Sequence, residues 1–77
     1  MKIEVFGTGC PKCNALEGAA REAAEGLGID YELIKVSDIA EMASRGVLLT
    51  PALAVDGVIR ISGKVPSVEK IRGMLQD

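Results

Sequence analysis

Cys10 and Cys13 are the only thiols in this 77-residue chain, and only Pro11-Lys12 separates them. A Cys-X-X-Cys at the start of a helix brings two sulfurs within bonding reach. The N–H groups of the helix N-terminus also lower the pKa of the first thiol. That pairing suits dithiol–disulfide exchange. Cys10 is expected to attack a partner's disulfide, and Cys13, about one turn further in and more buried, to resolve the mixed disulfide. Lys12 places a cation nearby. The chain has no histidine, but a thiol already partly ionised at neutral pH needs no separate base. Two other chemistries stay open on the spacing alone. The two thiolates could hold or deliver a soft metal ion, although a closed tetrahedral zinc site needs two more ligands and no other Cys or His exists. A reduced structural pair is the third possibility; a disulfide closing so short a loop would add little stability.

The elements that must position this pair are legible along the chain. Lys2 to Phe6 alternates as a strand, and Gly7-Thr8-Gly9 turns the chain toward Cys10. Pro11 suits the first turn of a helix, where its missing N–H costs nothing. Ala15, Leu16, Ala19, Ala20, Ala23, Ala24 and Leu27 recur at helical spacing as one apolar stripe. Glu17 and Arg21 are expected to face outward as an i,i+4 pair. Gly26 and Gly28 mark the helix end. Ile29 to Val36 reads as a second strand. Ser37 or Asp38 can cap a short helix, with Glu41 three residues after Asp38 and Ile39, Met42 and Ala43 as its inner face. Ala52 to Val55 and Val58 to Ile61 flank Asp56-Gly57, a strong two-residue hairpin signal. Pro66 and Ser67 open a last helix whose Val68, Ile71 and Leu75 face inward. The order is β-α-β-α-β-β-α. The early βαβ unit implies a parallel pair and the hairpin an antiparallel one. The expected fold class is α/β: a four-stranded mixed sheet with helices on both faces, forming a single domain over residues 1–77.

Composition narrows the function classes. Nearly half the residues are hydrophobic, 48%, too many for a disordered chain. Phe6 and Tyr31 are the only aromatics, so the core must be aliphatic. The net charge of −2 with interspersed signs carries no nucleic-acid footprint. No apolar run reaches the roughly 18 residues of a membrane helix, and the N-terminus reads as a strand rather than a signal peptide. A cytoplasmic monomer with no nucleic-acid or membrane partner is expected. In a reducing compartment a lone Cys-X-X-Cys points to redox or metal chemistry rather than a structural staple.

A second element stands out at Thr50-Pro51, before the third strand. Alone it could be an ordinary strand-starting proline. Taken with Phe6-Gly7-Thr8-Gly9-Cys10-Pro11-Lys12-Cys13, the Asp56-Gly57 hairpin and Ser62-Gly63-Lys64-Val65-Pro66-Ser67, it makes the chain resemble the thioredoxin-fold redox proteins. The likeness is strongest to the glutaredoxin-sized, thioredoxin-like small redox-active disulfide proteins of archaea and bacteria. This resemblance implies a thioredoxin-like fold, a cis Thr50–Pro51 bond beside the disulfide, and a Thr50 backbone open to strand addition by an extended substrate. It implies a docking surface around Gly9, Pro11, Lys12, Thr50, Pro51 and Gly63. It also implies no bound cofactor, protein disulfides as substrates, and a separate thioredoxin-type reductase as electron donor. There are departures. Gly9 precedes Cys10 where thioredoxins carry Trp, Lys12 stands where glutaredoxins carry an aromatic, and Ser62-Gly63-Lys64 replaces the Gly-Gly-acidic segment that holds glutathione. That argues against glutathione as the partner. Glu4, six residues before Cys10, is either the proton acceptor for Cys13 that thioredoxins place there or an exposed strand carboxylate. A non-catalytic interaction module on the same fold is a further alternative.

Overall fold

The computed structural model describes residues 1–8 and 11–76; Gly9, Cys10 and Asp77 lie outside the described residues. Its elements run β1 (Lys2–Phe6), α1 (Pro11–Leu27), β2 (Glu32–Val36), α2 (Ile39–Ser44), β3 (Ala52–Val55), β4 (Val58–Ser62) and α3 (Val68–Gln76). The four strands form one mixed sheet in the order β2-β1-β3-β4. β1 pairs parallel with β2, and β3 antiparallel with both β1 and β4.

Alternation along the strands divides the sheet into two faces. Ile3, Val5, Leu53, Val55 and Ile61 pack against Leu16, Ala20, Ala23 and Ala24 of α1 and Ile71 and Leu75 of α3. Phe6, Val36, Ala52 and Ala54 pack on the other face with Met42 of α2 and Val47. Helices therefore cover both faces, as predicted. With so few aromatics, α1 approaches the sheet through alanines. The largest buried side chains are Phe6, Ile3, Leu16, Leu53, Ile61 and Ile71, each contributing about 1.5–3 kcal/mol by leaving water.

The local signals resolve as follows. α1 ends at Leu27, and the Gly28 N–H donates to the Glu25 carbonyl at 3.1 Å. The Asp38 carboxylate accepts from the N–H groups of Ala40 and Glu41 at 2.8 and 3.2 Å. The Ser67 hydroxyl accepts from the Lys70 N–H at 3.2 Å. Asp56 and Gly57 have φ of 51° and 87°, the left-handed pair a tight hairpin requires.

Three expectations need correction. β2 starts at Glu32, not Ile29, because the ladder with β1 begins where Lys2 faces Glu32, and the Met1 carbonyl takes the Glu32 N–H at 2.8 Å. Ile29 and Tyr31 instead pack against the α1–α3 core. Ala15 is exposed, since it falls about 100° around the helix from Leu16. In α2 only Met42 is buried, while Ile39 and Ala43 are exposed; a six-residue helix has too few turns to present a broad inner face.

Candidate functional site

One end of the sheet gathers most of the residues singled out in the sequence. β1 and β2 leave it at Gly7-Thr8 and Ser37, β3 enters it from Pro51, and β4 leaves it at Gly63. α1 begins there at Pro11. The register makes this explicit. Phe6 pairs with Ala52, so one step further Gly7 and Pro51 become neighbours across the β1–β3 ladder.

Cys13 is the third residue of α1 and is 5% exposed. It lies against Gly7. A Cβ added to Gly7 would overlap the Cys13 sulfur and come within 2.9 Å of its Cβ. Only a residue without a side chain lets β1 pass this close to the helix N-terminus. The sequence marks Gly7 only as part of a flexible turn; its actual role comes from a contact between separate elements. Pro11 and Lys12 are exposed in the first helical turn. Cys10 precedes them in the chain and lies outside the described residues, as does Gly9.

On the other flank, the Thr50–Pro51 peptide bond is cis. Pro51 is fully buried while Thr50 is exposed. Among the described residues, no backbone hydrogen bond outside the helices and strands involves Thr50. The Pro51 carbonyl accepts from the Gly63 N–H at 2.8 Å. Gly63 has φ of 74° and lies against Leu49, which a Cβ there would meet at 3.4 Å. Leu48 and Leu49 are 90% and 61% exposed, so an apolar lip borders Thr50. The sequence shows Val47-Leu48-Leu49 only as an approach to Pro51; the structure buries Val47 and turns the leucines outward.

Glu4 departs from both roles offered to it. It is 4% exposed, so it is no surface carboxylate. It also points away from Cys13. Register places Glu4 opposite Ile34 on the α2 face, whereas Val5, Gly7 and Lys35 share the α1 face. Arg45, at the C-cap of α2, grips Glu4 with two hydrogen bonds of 2.7 and 2.9 Å. The guanidinium also lies 5.3 Å over the Phe6 ring. The Arg45 hydrogen bonds hold the Glu4 carboxyl below its ordinary pKa against the opposing effect of burial, and raise that of Arg45. Glu4 thus anchors α2 beneath the sheet.

A cleft of about 290 Å³ opens beside Cys13, lined by Val5, Gly7, Thr8, Asn14, Lys35 and Ser37. Lys35 Nζ lies 3.2 Å from Glu17, whose second carboxylate oxygen is 3.2 Å from Arg21. The predicted Glu17–Arg21 pair is present, but Glu17 faces β2 rather than open solvent. Hydrogen bonding to Lys35, and then to Arg21, lowers its pKa, and Glu17 raises that of Arg21 in turn. Among the described residues, no group of three His, Cys, Asp or Glu side chains is arranged to hold a metal ion. No described helix is long and apolar enough to cross a membrane.

Comparison with known proteins is consistent with this architecture. The family model for the thioredoxin domain matches residues 1–76. The chain is 50% identical over 74 residues to a thioredoxin of Methanocaldococcus jannaschii, covering 96% of this chain and 85% of that one. It is 45% identical over 75 residues to a thioredoxin of Methanothermobacter thermautotrophicus, covering 97% of each. The solved structure of thioredoxin 1 from Thermosipho africanus superposes with a TM-score of 0.65, covering 99% of this chain and 91% of that one. Its sequence identity is 22%, so it speaks to the fold alone. A four-stranded mixed sheet between helices, matched to the thioredoxin domain over nearly its whole length, places the chain in the thioredoxin family of thiol–disulfide oxidoreductases.

Proposed function

We propose that this chain reduces or forms protein disulfides through Cys10 and Cys13, with Cys10 as nucleophile and Cys13 as resolving thiol. The Cys10 thiolate attacks one sulfur of a partner disulfide and displaces the other as a thiolate, which takes a proton from water. The Cys13 thiolate then attacks the Cys10 sulfur and releases the partner's second thiol. The partner gains two electrons, and this chain is left with a Cys10–Cys13 disulfide. A separate reductase returns those electrons in the cytoplasm, and no bound cofactor is needed.

The observation that carries this reading is the position of Cys13. It is buried in the first turn of α1, tight against Gly7 at the end of the sheet, where helix N–H groups favour a thiolate. Pro51, Thr50, Pro11, Lys12 and Gly63 would border the partner. Thr50, exposed beside the Leu48–Leu49 lip, would offer its backbone to an extended segment. The exposed apolar side chains Leu48 and Leu49 suit a polypeptide segment, and Ser62-Gly63-Lys64 stands in place of the Gly-Gly-acidic segment that holds glutathione.

A redox titration of the pair, read by thiol alkylation and mass, tests the reading. A reversible two-electron couple in metal-free protein, at about −270 to −200 mV, supports it; a pair that stays reduced throughout overturns it. Cys13→Ser should trap mixed disulfides, and Cys10→Ser should abolish exchange. Trapping by Cys10→Ser alone would reverse the two roles.

A further inference from the structure

The ion pair on the α2 face lies close in the chain to the exposed leucines beside Thr50. Arg45 is the C-cap of α2, its N–H donated to the Glu41 carbonyl at 3.0 Å. Val47 is buried with Phe6, Ala52 and Ala54, and its N–H goes to the Met42 carbonyl at 2.9 Å. The chain then leaves the core: Leu48, Leu49 and Thr50 are exposed, and Pro51 is buried again. Among the described residues, no backbone hydrogen bond outside the helices and strands involves Leu48, Leu49 or Thr50. The lip is therefore held at its two ends, and by Leu49 lying against Gly63. Arg45 ties the first end to the strands that carry the second. Its guanidinium donates to Glu4 at 2.7 and 2.9 Å and lies 5.3 Å over the Phe6 ring. Glu4 and Phe6 are alternate residues of β1, opposite Ala54 and Ala52 of β3, and β3 begins directly after Pro51. A two-point grip of this kind fixes direction as well as distance.

We propose that Arg45 is a positioning residue for partner binding: through Glu4 and Phe6 it sets Leu48, Leu49 and Thr50 beside Pro51 and Gly63 in the orientation that an extended polypeptide needs. The inference rests on that segment being the docking edge for a protein disulfide. Arg45 makes no contact with the reacting sulfurs in this role. Its effect is confined to partners long enough to lie along residues 48–50. An apolar side chain of such a partner rests on the leucines while its backbone pairs with Thr50. A small disulfide that meets only the cysteines has nothing to lay along the lip, so it is indifferent to where the lip stands.

The test compares two disulfides: insulin, whose disulfides lie within polypeptide, and hydroxyethyl disulfide, which has no segment to dock. The reduced full chain is mixed with each, and the second-order rate constant is read from the loss of its thiols. Arg45→Met should lower the rate constant with insulin about fivefold and change that with hydroxyethyl disulfide by less than about twofold. Glu4→Gln should act in the same sense, and the double variant should be no slower than the slower single one, because both break one contact. Asp38→Ala weakens the other end of α2 and controls for lost stability; it should leave the ratio of the two rates unmoved. Thermal melts identify any variant that is not folded, and where Arg45→Met is one of these, Arg45→Lys, which keeps the charge without the two-point grip, takes its place. An insulin rate unmoved by Arg45→Met, equal slowing with both disulfides, or a ratio moved as far by Asp38→Ala overturns the proposal. Reaction of the unmodified chain with hydroxyethyl disulfide alone overturns the docking edge and the proposal with it. Reaction with neither disulfide would instead overturn the oxidoreductase reading.

Discussion

Gly7→Ala is the smallest change that should damage both fold and chemistry. The added Cβ would overlap the Cys13 sulfur and sit 2.9 Å from the Cys13 Cβ. Carbon atoms pack at about 3.5–4.0 Å, so a separation of roughly 0.6–1.1 Å must be opened. Rotating Cys13 could relieve the sulfur overlap. It would not relieve the contact at Cβ, which moves only with the α1 backbone. Either β1 and the start of α1 separate, or both Cys13 and the turn shift. Overpacking of this kind costs typically about 1–3 kcal/mol. For a domain of this size that corresponds to a melting temperature lower by roughly 5–20 °C.

The control lies on the same helix. A Cβ at Gly18 would meet nothing within 4 Å, and Gly18 is exposed within α1. Gly18→Ala should therefore raise stability by about 0.5–1 kcal/mol, by propensity alone. Urea unfolding of both variants in the reduced state, with the redox midpoint of each, separates the outcomes. If the turn and Cys13 shift together while β1 and the rest of α1 keep their packing, stability will fall less but the thiol pair will lose its geometry and its midpoint will move. Unchanged stability together with an unchanged midpoint in Gly7→Ala would refute the reasoning, because the atoms have no third way to avoid each other.

Other expectations can be checked in the same assays. Glu4 and Glu17 both have native pKa values held below the ordinary carboxylate value of 4.5. Their contribution is present above the unfolded-state value and is lost as pH falls through the native one; Glu4→Gln should flatten that acid limb in melts run from neutral pH downward. Asp38→Ala removes the acceptor for two N–H groups of α2 and should cost about 0.5–2 kcal/mol; an unaltered urea midpoint would count against the cap. At Gly26 the nearest atoms an added Cβ would meet belong to the Arg72 guanidinium, the closest at 2.9 Å. Gly26→Ala should therefore gain less than Gly18→Ala, and equal gains would show that the Arg72 contact does not matter.

What could be read directly from the sequence was local. Asp56-Gly57 forces left-handed backbone within two residues. Asp38 and Ser67 cap helices within three residues of themselves. The stripe from Leu16 to Ala24 is a property of one helix. The layered arrangement followed because period-two and period-3.6 patterns alternate in an order that leaves few topologies. The limit of β2 was less visible, because it is set by where β1 begins and not by residues 29–31.

The site shows the same division more sharply. The Cys-Pro-Lys-Cys spacing is a local signal, and so is the proline before β3. Glu4 is not, because a strand residue takes its role from the face it points to. Moving it by one position would exchange the α2 core for the cleft beside Cys13. Counting six residues back from Cys10 finds a carboxylate without fixing its face. The β1–β2 register and Arg45, forty-one residues away, decide that it serves the anchoring of α2. Lys35 is the converse case: unremarkable among strand residues in the sequence, it shares the α1 face with Val5, lines the cleft beside Cys13 and pairs with Glu17, one turn beyond Cys13 on α1. Glu4 paired with Arg45 on one face and Lys35 paired with Glu17 on the other show that the charges around Cys13 are distributed by strand parity more than by distance along the sequence.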